Sequence, residues 1–72
     1  MTMNSMTDTV LEFLIRYYKD RIDRARVSLE KYVIDQNTHR AAMTVGAMEM
    51  LGHLVFVCEN ELRERHKKGN VA

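Results

Sequence analysis

Residues 41–58 read AAMTVGAMEMLGHLVFVC, and this stretch decides the fold. Glu49 is its only formal charge and His53 its only other strongly polar side chain, while one threonine and two glycines complete the exceptions. So apolar a segment needs cover, and a chain of 72 residues has little interior to provide it. The stretch therefore predicts packing against a second copy of the chain or another partner.

The apolar positions of this stretch recur at helical spacing on more than one face of a helix 2. One seam, with spacings of three and four residues, consists of Ala41, Thr44, Met48, Leu51, Val55, Cys58 and Leu62. Beside it runs a second line, called the outer stripe, which consists of Met43, Ala47, Met50, Leu54 and Val57. A surface helix of a globular protein needs one apolar stripe. Because a neighbouring helix covers only one, the outer stripe predicts an oligomer interface.

An amphipathic helix 1 precedes the apolar stretch. Its apolar residues alternate spacings of four and three, as in a heptad seam: Leu11, Ile15, Tyr18, Ile22, Ala25, Leu29 and Tyr32. The other face carries opposite charges four residues apart, which is typical of a solvated helix surface. Thr9 and Glu12 have the spacing of a capping box, and Asp8 adds negative charge at the positive helix end. The pattern predicts a helix that begins at Thr9.

A polar cluster at residues 35–38 separates the helices, and Asn37 or Thr38 can cap the second one. We expect a flexible N-terminus over 1–8, a helical hairpin over 9–68 and a tail over 69–72. The helices should span about 9–34 and about 38–68. The fold class is all-α, an antiparallel helical hairpin that assembles into a dimeric four-helix bundle or a higher oligomer. One continuous helix is the alternative, because no proline or glycine forces a break.

Composition narrows the function classes and the location. Eleven basic and ten acidic residues give a net charge of +1, whereas a nucleic-acid binder usually has a basic excess. The single cysteine allows no internal disulfide, and residues 1–9 have no basic residue or apolar core, so we expect a cytoplasmic protein. The apolar run is near the lower length of a membrane span, but Glu49 lies at its middle and helix 1 is amphipathic. We therefore expect no membrane insertion.

Four residues are candidates for ligand binding. His39 and Arg40 begin helix 2, where free N–H groups and the helix dipole favour an anion. Tyr17 and Arg24 of helix 1 are possible contributors if oligomerisation gathers several chains, and Tyr32 is a further ring that can stack on a base. The ligand would be an anionic nucleotide held between subunits. The alternative is that these are ordinary solubilising charges.

Four further residues of helix 2 have a structural and a functional interpretation. Glu49 and His53 lie one turn apart and would meet their copies in a symmetric dimer, yet they lack the Glu-x-x-His spacing of bundle metal sites, so we expect no metal and no cofactor. Gly46 suits either a close helix crossing or room for a ligand. Cys58 falls on the seam and is expected to be a core residue.

No catalytic motif is present, so the sequence predicts a non-enzymatic, oligomeric binding or regulatory protein whose partners are its own copies and possibly another protein. Small size and balanced charge are typical of accessory proteins of phages and other mobile elements. The architecture resembles small plasmid RNA-binding proteins that dimerise as four-helix bundles, and small helical phage proteins that sequester cyclic nucleotides. No motif links the chain to either group. A sponge for a cyclic nucleotide and an RNA- or DNA-binding bundle are the alternatives.

Overall fold

The computed structural model describes residues 5–69, which form two helices joined by a short turn. Helix α1 is Asp8–Ile34 and helix α2 is Thr38–Gly69. They pack side by side as an antiparallel hairpin, so the predicted all-α hairpin is confirmed and a continuous helix is excluded. Both helices extend one residue beyond a predicted boundary, because Asp8 and Gly69 are helical. The flexibility expected for residues 1–4 and the tail over 70–72 fall outside the described residues.

The N-terminal cap of α1 differs from the prediction. Thr7, not Thr9, is the capping residue, and its hydroxyl oxygen accepts a hydrogen bond from the Val10 amide at 3.2 Å. A cap requires extended backbone, which Thr7 has at φ −76° and ψ 161°, whereas Thr9 is already inside the first turn. The prediction of a capping box between Thr9 and Glu12 is therefore wrong. Asp8 does supply negative charge in the first turn, as predicted.

The turn reverses the chain without glycine or proline. The Gln36 amide donates to the Val33 carbonyl at 3.1 Å, and the Asn37 amide donates to the Tyr32 carbonyl at 2.8 Å. This pair of bonds is the Schellman motif, which requires a left-handed residue, and Gln36 takes that role with φ 59°. Asn37 then caps α2, because its side-chain oxygen accepts from the Arg40 amide at 3.2 Å.

The two predicted seams face each other between the helices. Every seam residue of both helices is buried or half-buried, which confirms the spacing argument. Few residues are buried: among those described, the buried core consists of Leu11, Val55 and Cys58, and of these Leu11 is fully covered. The hairpin is a rod of 55 × 19 × 16 Å, one helix layer thick, so it has almost no interior.

Ion pairs across the seam match the antiparallel alignment of the two helices. Lys19 lies 3.4 Å from Glu59, and Arg65 lies 2.8 Å from Asp8 at the open end of the hairpin. Arg65 also contacts Glu61 at 2.9 Å. The hydrogen bond to Asp8, followed by that to Glu61, raises the pKa of Arg65. These exposed pairs select orientation more than they add stability, since such pairs are worth about 0–1 kcal/mol.

The glycines of α2 do not mark a helix crossing within the chain. A Cβ atom added at Gly46 or Gly52 would have no neighbouring atom within 4 Å. The prediction that Gly46 allows a close approach of two helices is therefore wrong for the hairpin, because Gly46 points away from α1.

Candidate functional site

The outer stripe lies on a part of α2 that α1 does not cover. Met43 is 63% exposed and Met50 is 67% exposed, although both lie within a long apolar helix. Ala47 is also exposed, while Leu54 and Val57 are half-buried. The hairpin therefore presents a continuous apolar line along α2 to its surroundings.

A basic flank of α1 borders the outer stripe. A depression of about 240 Å³ lies between the helices and is lined by Arg21, Arg24, Ala25, Ser28, Ala47 and Leu51. It places Arg21 and Arg24 on the same side of the hairpin as Ala47. Arg24 is held at 3.0 Å by Asp20 of its own helix. An apolar partner at this side therefore has its matching surface on α2 rather than on α1.

At the turn, the structure brings two of the predicted ligand-binding residues together. His39 and Arg40 line a depression of about 480 Å³ with Tyr32, Met43 and Thr44. The Arg40 guanidinium carbon lies 5.9 Å from the centre of the Tyr32 ring, within range of a cation–π contact. Arginine, imidazole and a phenol ring are thus adjacent at this end of the rod, and all belong to one chain.

The other two predicted ligand-binding residues lie elsewhere. Tyr17 is stacked on Phe13 with ring centroids 6.2 Å apart, and it touches Tyr18 edge-on at 5.7 Å. Tyr17 is about 22 Å from Tyr32 along α1 at a rise of about 1.5 Å per residue. Arg24 lies about midway between them. A single hairpin therefore does not combine Tyr17 or Arg24 with His39 and Arg40.

Tyr17 and its neighbour Phe13 are exposed on α1 together with further apolar side chains that the sequence analysis does not identify. Phe13 is 57% exposed, and Val10, Val27, Val33 and Ile34 are also exposed. The spacing of four residues between Phe13 and Tyr17 was the available signal, because aromatic pairs at this spacing contact each other on a helix. The others are scattered, and isolated exposed apolar residues are common on protein surfaces.

Glu49 and His53 are both exposed on α2. Within residues 5–69, no group of three or more His, Cys, Asp and Glu side chains is arranged to hold a metal ion. One carboxylate and one imidazole of a single chain form an incomplete ligand set for a tetrahedral metal.

Cys58 lies in the seam and is 2% exposed, as expected for a core residue. Desolvation raises the pKa of its thiol, and the neighbouring charge of Glu59 raises it further. A buried thiol with a raised pKa is a poor nucleophile, because the thiolate is the reactive form.

By length and composition, α2 is also a candidate membrane span. Over Thr38–Lys68 its most apolar window of 18 residues has a mean hydropathy of 1.6, and 11% of that window is buried in the hairpin. Core helices of soluble proteins satisfy the same criteria of length and composition. The outer stripe contributes to this low buried share, because Met43, Ala47 and Met50 are exposed among the described residues.

No protein-family model, curated protein or solved structure matches the chain.

Proposed function

We propose that this protein is a small non-enzymatic binding protein that works as a homo-oligomer joined through the outer stripe of α2. The exposure of Met43 and Met50 in the middle of an apolar helix carries the proposal. Monomeric soluble proteins rarely expose a large continuous apolar patch, and such a patch usually marks an interaction surface.

The energetics of the hairpin favour association. Three buried side chains among the described residues are few for an independently stable domain. Covering a Met, Leu or Val side chain completely contributes roughly 1.5–3 kcal/mol. If a partner buried the outer stripe, several more apolar side chains would be removed from water. The hairpin would then gain stability that its small core does not provide.

Three features favour a protein partner over a lipid bilayer. Glu49 and His53 lie near the middle of the apolar run, where a charge is expensive in hydrocarbon. Helix α1 is packed along α2 and has charged residues on its outer side, including the Asp20–Arg24 pair. The seam residues of α2 are buried or half-buried against α1, so α2 would have to leave its hairpin to insert.

The chemistry of the chain supports a binding role rather than catalysis. Its one thiol, Cys58, is covered by α1. His39 and His53 are exposed at levels of α2 that differ by about four turns. Catalysis by a side-chain nucleophile requires a base within hydrogen-bonding reach, whereas His39, His53 and His66 are all exposed and the Cys58 thiol is buried in the seam.

Light scattering on the purified protein tests the proposal, with Met50→Glu as the disrupting variant and Val27→Glu as its control. Val27 is 68% exposed on α1, so its replacement adds the same charge away from the outer stripe. We expect a wild-type mass that is a multiple of 8.4 kDa. Met50→Glu should lower the mass or unfold the chain, which circular dichroism distinguishes, and Val27→Glu should retain the wild-type mass.

Two results would refute self-association as the basis of the function. The first is a wild-type chain that stays monomeric and folded throughout the micromolar range. The second is quantitative sedimentation of the wild type with phosphatidylcholine vesicles, since that outcome would assign the apolar face of α2 to a membrane.

The arrangement at the turn supports a second candidate function, sequestration of an anionic nucleotide. Arg40 over the Tyr32 ring, with His39 beside it, offers a cation and a stacking surface in one depression. Calorimetry against cyclic and linear nucleotides tests it. Arg40→Ala should abolish the heat of binding, whereas Arg63→Ala, a charge removed from the other end of α2, should leave it unchanged. Absence of heat from every nucleotide would reject this candidate.

A further inference from the structure

The outer stripe ends in opposite charges. Continued toward the N-terminus by three residues, its line reaches Arg40, and continued toward the C-terminus by four residues it reaches Glu61. Positions three and four residues apart share one side of a helix. Arg40 lines the same depression as Met43, which places the cation at the end of the stripe. The interaction surface of α2 is thus an apolar line with a basic start and an acidic end.

Such a surface is complementary to a second copy of itself that runs in the opposite direction. When two copies of α2 lie antiparallel with Met50 opposite Met50, Met43 faces Val57 and Ala47 faces Leu54, so the apolar residues cover one another. The same register brings Arg40 opposite Glu61 at both ends. In a parallel pair, Arg40 would meet Arg40 and Glu61 would meet Glu61, and like charges placed opposite each other are destabilising.

Both end residues are available for this contact. Arg40 is exposed, and its cation–π contact with Tyr32 leaves the edges of the guanidinium open to donate hydrogen bonds. Glu61 accepts from Arg65 through Oε1, and a carboxylate has a second oxygen that can accept from another donor. Its side chain is 24% exposed, so it reaches the surface.

We propose that the partner of the outer stripe is the outer stripe of a second copy, in an antiparallel twofold dimer centred at Met50 and closed by two reciprocal Arg40–Glu61 ion pairs. This inference rests on the proposed self-association and adds to it the orientation, the register and the charged residues that select them. An isologous interface of this kind closes after two chains, because each copy uses its outer stripe to cover the outer stripe of the other.

Mixing two charge-reversal variants tests the reciprocal pairs. Chains with Arg40→Glu are combined with chains carrying Glu61→Arg, and native mass spectrometry of tagged chains measures the homodimers and the mixed dimer. Each homodimer has like charges at both ends. In the mixed dimer, the introduced glutamate faces the introduced arginine, and the native Arg40 faces the native Glu61. Two mixed dimers contain the same four chains as one homodimer of each kind. The effects of each substitution within its own chain therefore cancel in the exchange between them.

We expect the mixed dimer to exceed its statistical share severalfold at low salt and to approach that share as salt is added, because exposed ion pairs are screened. A statistical mixture at low salt would overturn the reciprocal pairs. If either variant fails to fold, cysteine cross-linking in a Cys58→Ala background gives an independent measurement.

In that background, Met50→Cys should cross-link to its own copy. Met43→Cys and Val57→Cys should each fail alone and cross-link when mixed. Self-cross-linking of both end variants would show a parallel dimer and overturn the inference. A wild-type protein that is monomeric by light scattering would refute the proposed self-association itself, whereas a dimer without the Met50 cross-link would refute only the register proposed here.

Discussion

Gly46 lies on a side of α2 that no other part of the described chain approaches, since an added Cβ atom would meet nothing within 4 Å. The sequence correctly marks it as unusual, because glycine inside a helix is unfavourable. It does not reveal which way the residue points relative to α1.

Gly46→Ala should therefore stabilise the protein. The expected gain in the free energy of unfolding is about 0.5–1 kcal/mol, because alanine loses less backbone freedom in a helix. A thermal melt followed by circular dichroism measures it. Gly52→Ala, at a position equally free of neighbours, serves as the matched comparison. A lower melting temperature for Gly46→Ala alone would mean that a second chain packs on Gly46.

Cys58 gives the protein a pH dependence at alkaline pH. Its thiol pKa is raised in the folded state by desolvation and then by Glu59, so the folded chain holds the proton more strongly than the unfolded chain. The resulting stability is present below the ordinary pKa of a thiol and is lost as the pH rises through the raised pKa.

Denaturant unfolding at about pH 7 and about pH 10 checks this dependence. The wild type should lose more stability between the two conditions than Cys58→Ala, in which every other titrating group is retained. Equal losses in the two proteins would show that the thiol proton does not contribute.

At the scale of the helices, the sequence predicts most of the architecture. The heptad spacing of α1 and the seam of α2 identify the buried sides, because period and burial are linked by helix geometry alone. The ends of the helices are harder to predict from sequence, because two threonines near the start of α1 both have a side chain that can cap a helix. Only the backbone at Thr7, which is extended, decides between them. The turn was also underdetermined, because Gln36 takes a position that normally belongs to glycine.

The two threonines can be separated by mutation. Thr7→Ala should lower the free energy of unfolding by about 0.5–2 kcal/mol, because the Val10 amide loses its acceptor. Thr9→Ala removes the same hydroxyl from inside the first turn and should change stability by less than about 0.5 kcal/mol. Chemical denaturation of both variants gives the comparison. A larger effect at Thr9 would restore the capping box with Glu12.

Gln36→Gly should stabilise the turn. The left-handed conformation costs a non-glycine residue about 1–2 kcal/mol. The greater freedom of glycine in the unfolded chain offsets about 0.5–1 kcal/mol of that gain. Asp35→Gly is the control, because Asp35 has an ordinary helical backbone at φ −78° and ψ −1° and should be destabilised by glycine. If denaturation shows both glycine variants to be less stable, Gln36 is not strained.

For the whole molecule, the hairpin has far more apolar surface than it covers. The sequence predicts this excess directly, because α2 has two apolar stripes and α1 can cover one. The sequence does not predict where the candidate ligand residues lie relative to one another. Tyr17 and His39 become neighbours only if separate chains meet, and the apolar period of one helix does not encode how chains are arranged. The charges at the ends of the outer stripe supply the missing information, because Arg40 and Glu61 distinguish an antiparallel from a parallel partner.

If the outer stripe is buried between chains, folding and association are coupled. Leu11, Val55 and Cys58 are the only buried apolar residues among those described, so a large share of the stability should come from the contact with the second copy. A partner that binds only the folded chain stabilises it by mass action, and the midpoint of thermal unfolding then rises with protein concentration.

Circular dichroism melts over a hundredfold range of concentration should show this rise for the wild type and for Val27→Glu. Met50→Glu should melt at a lower temperature that does not change with concentration, because its remaining structure is that of one hairpin. A wild-type midpoint that is independent of concentration would mean that the hairpin is stable alone and that the apolar face of α2 serves a partner other than itself.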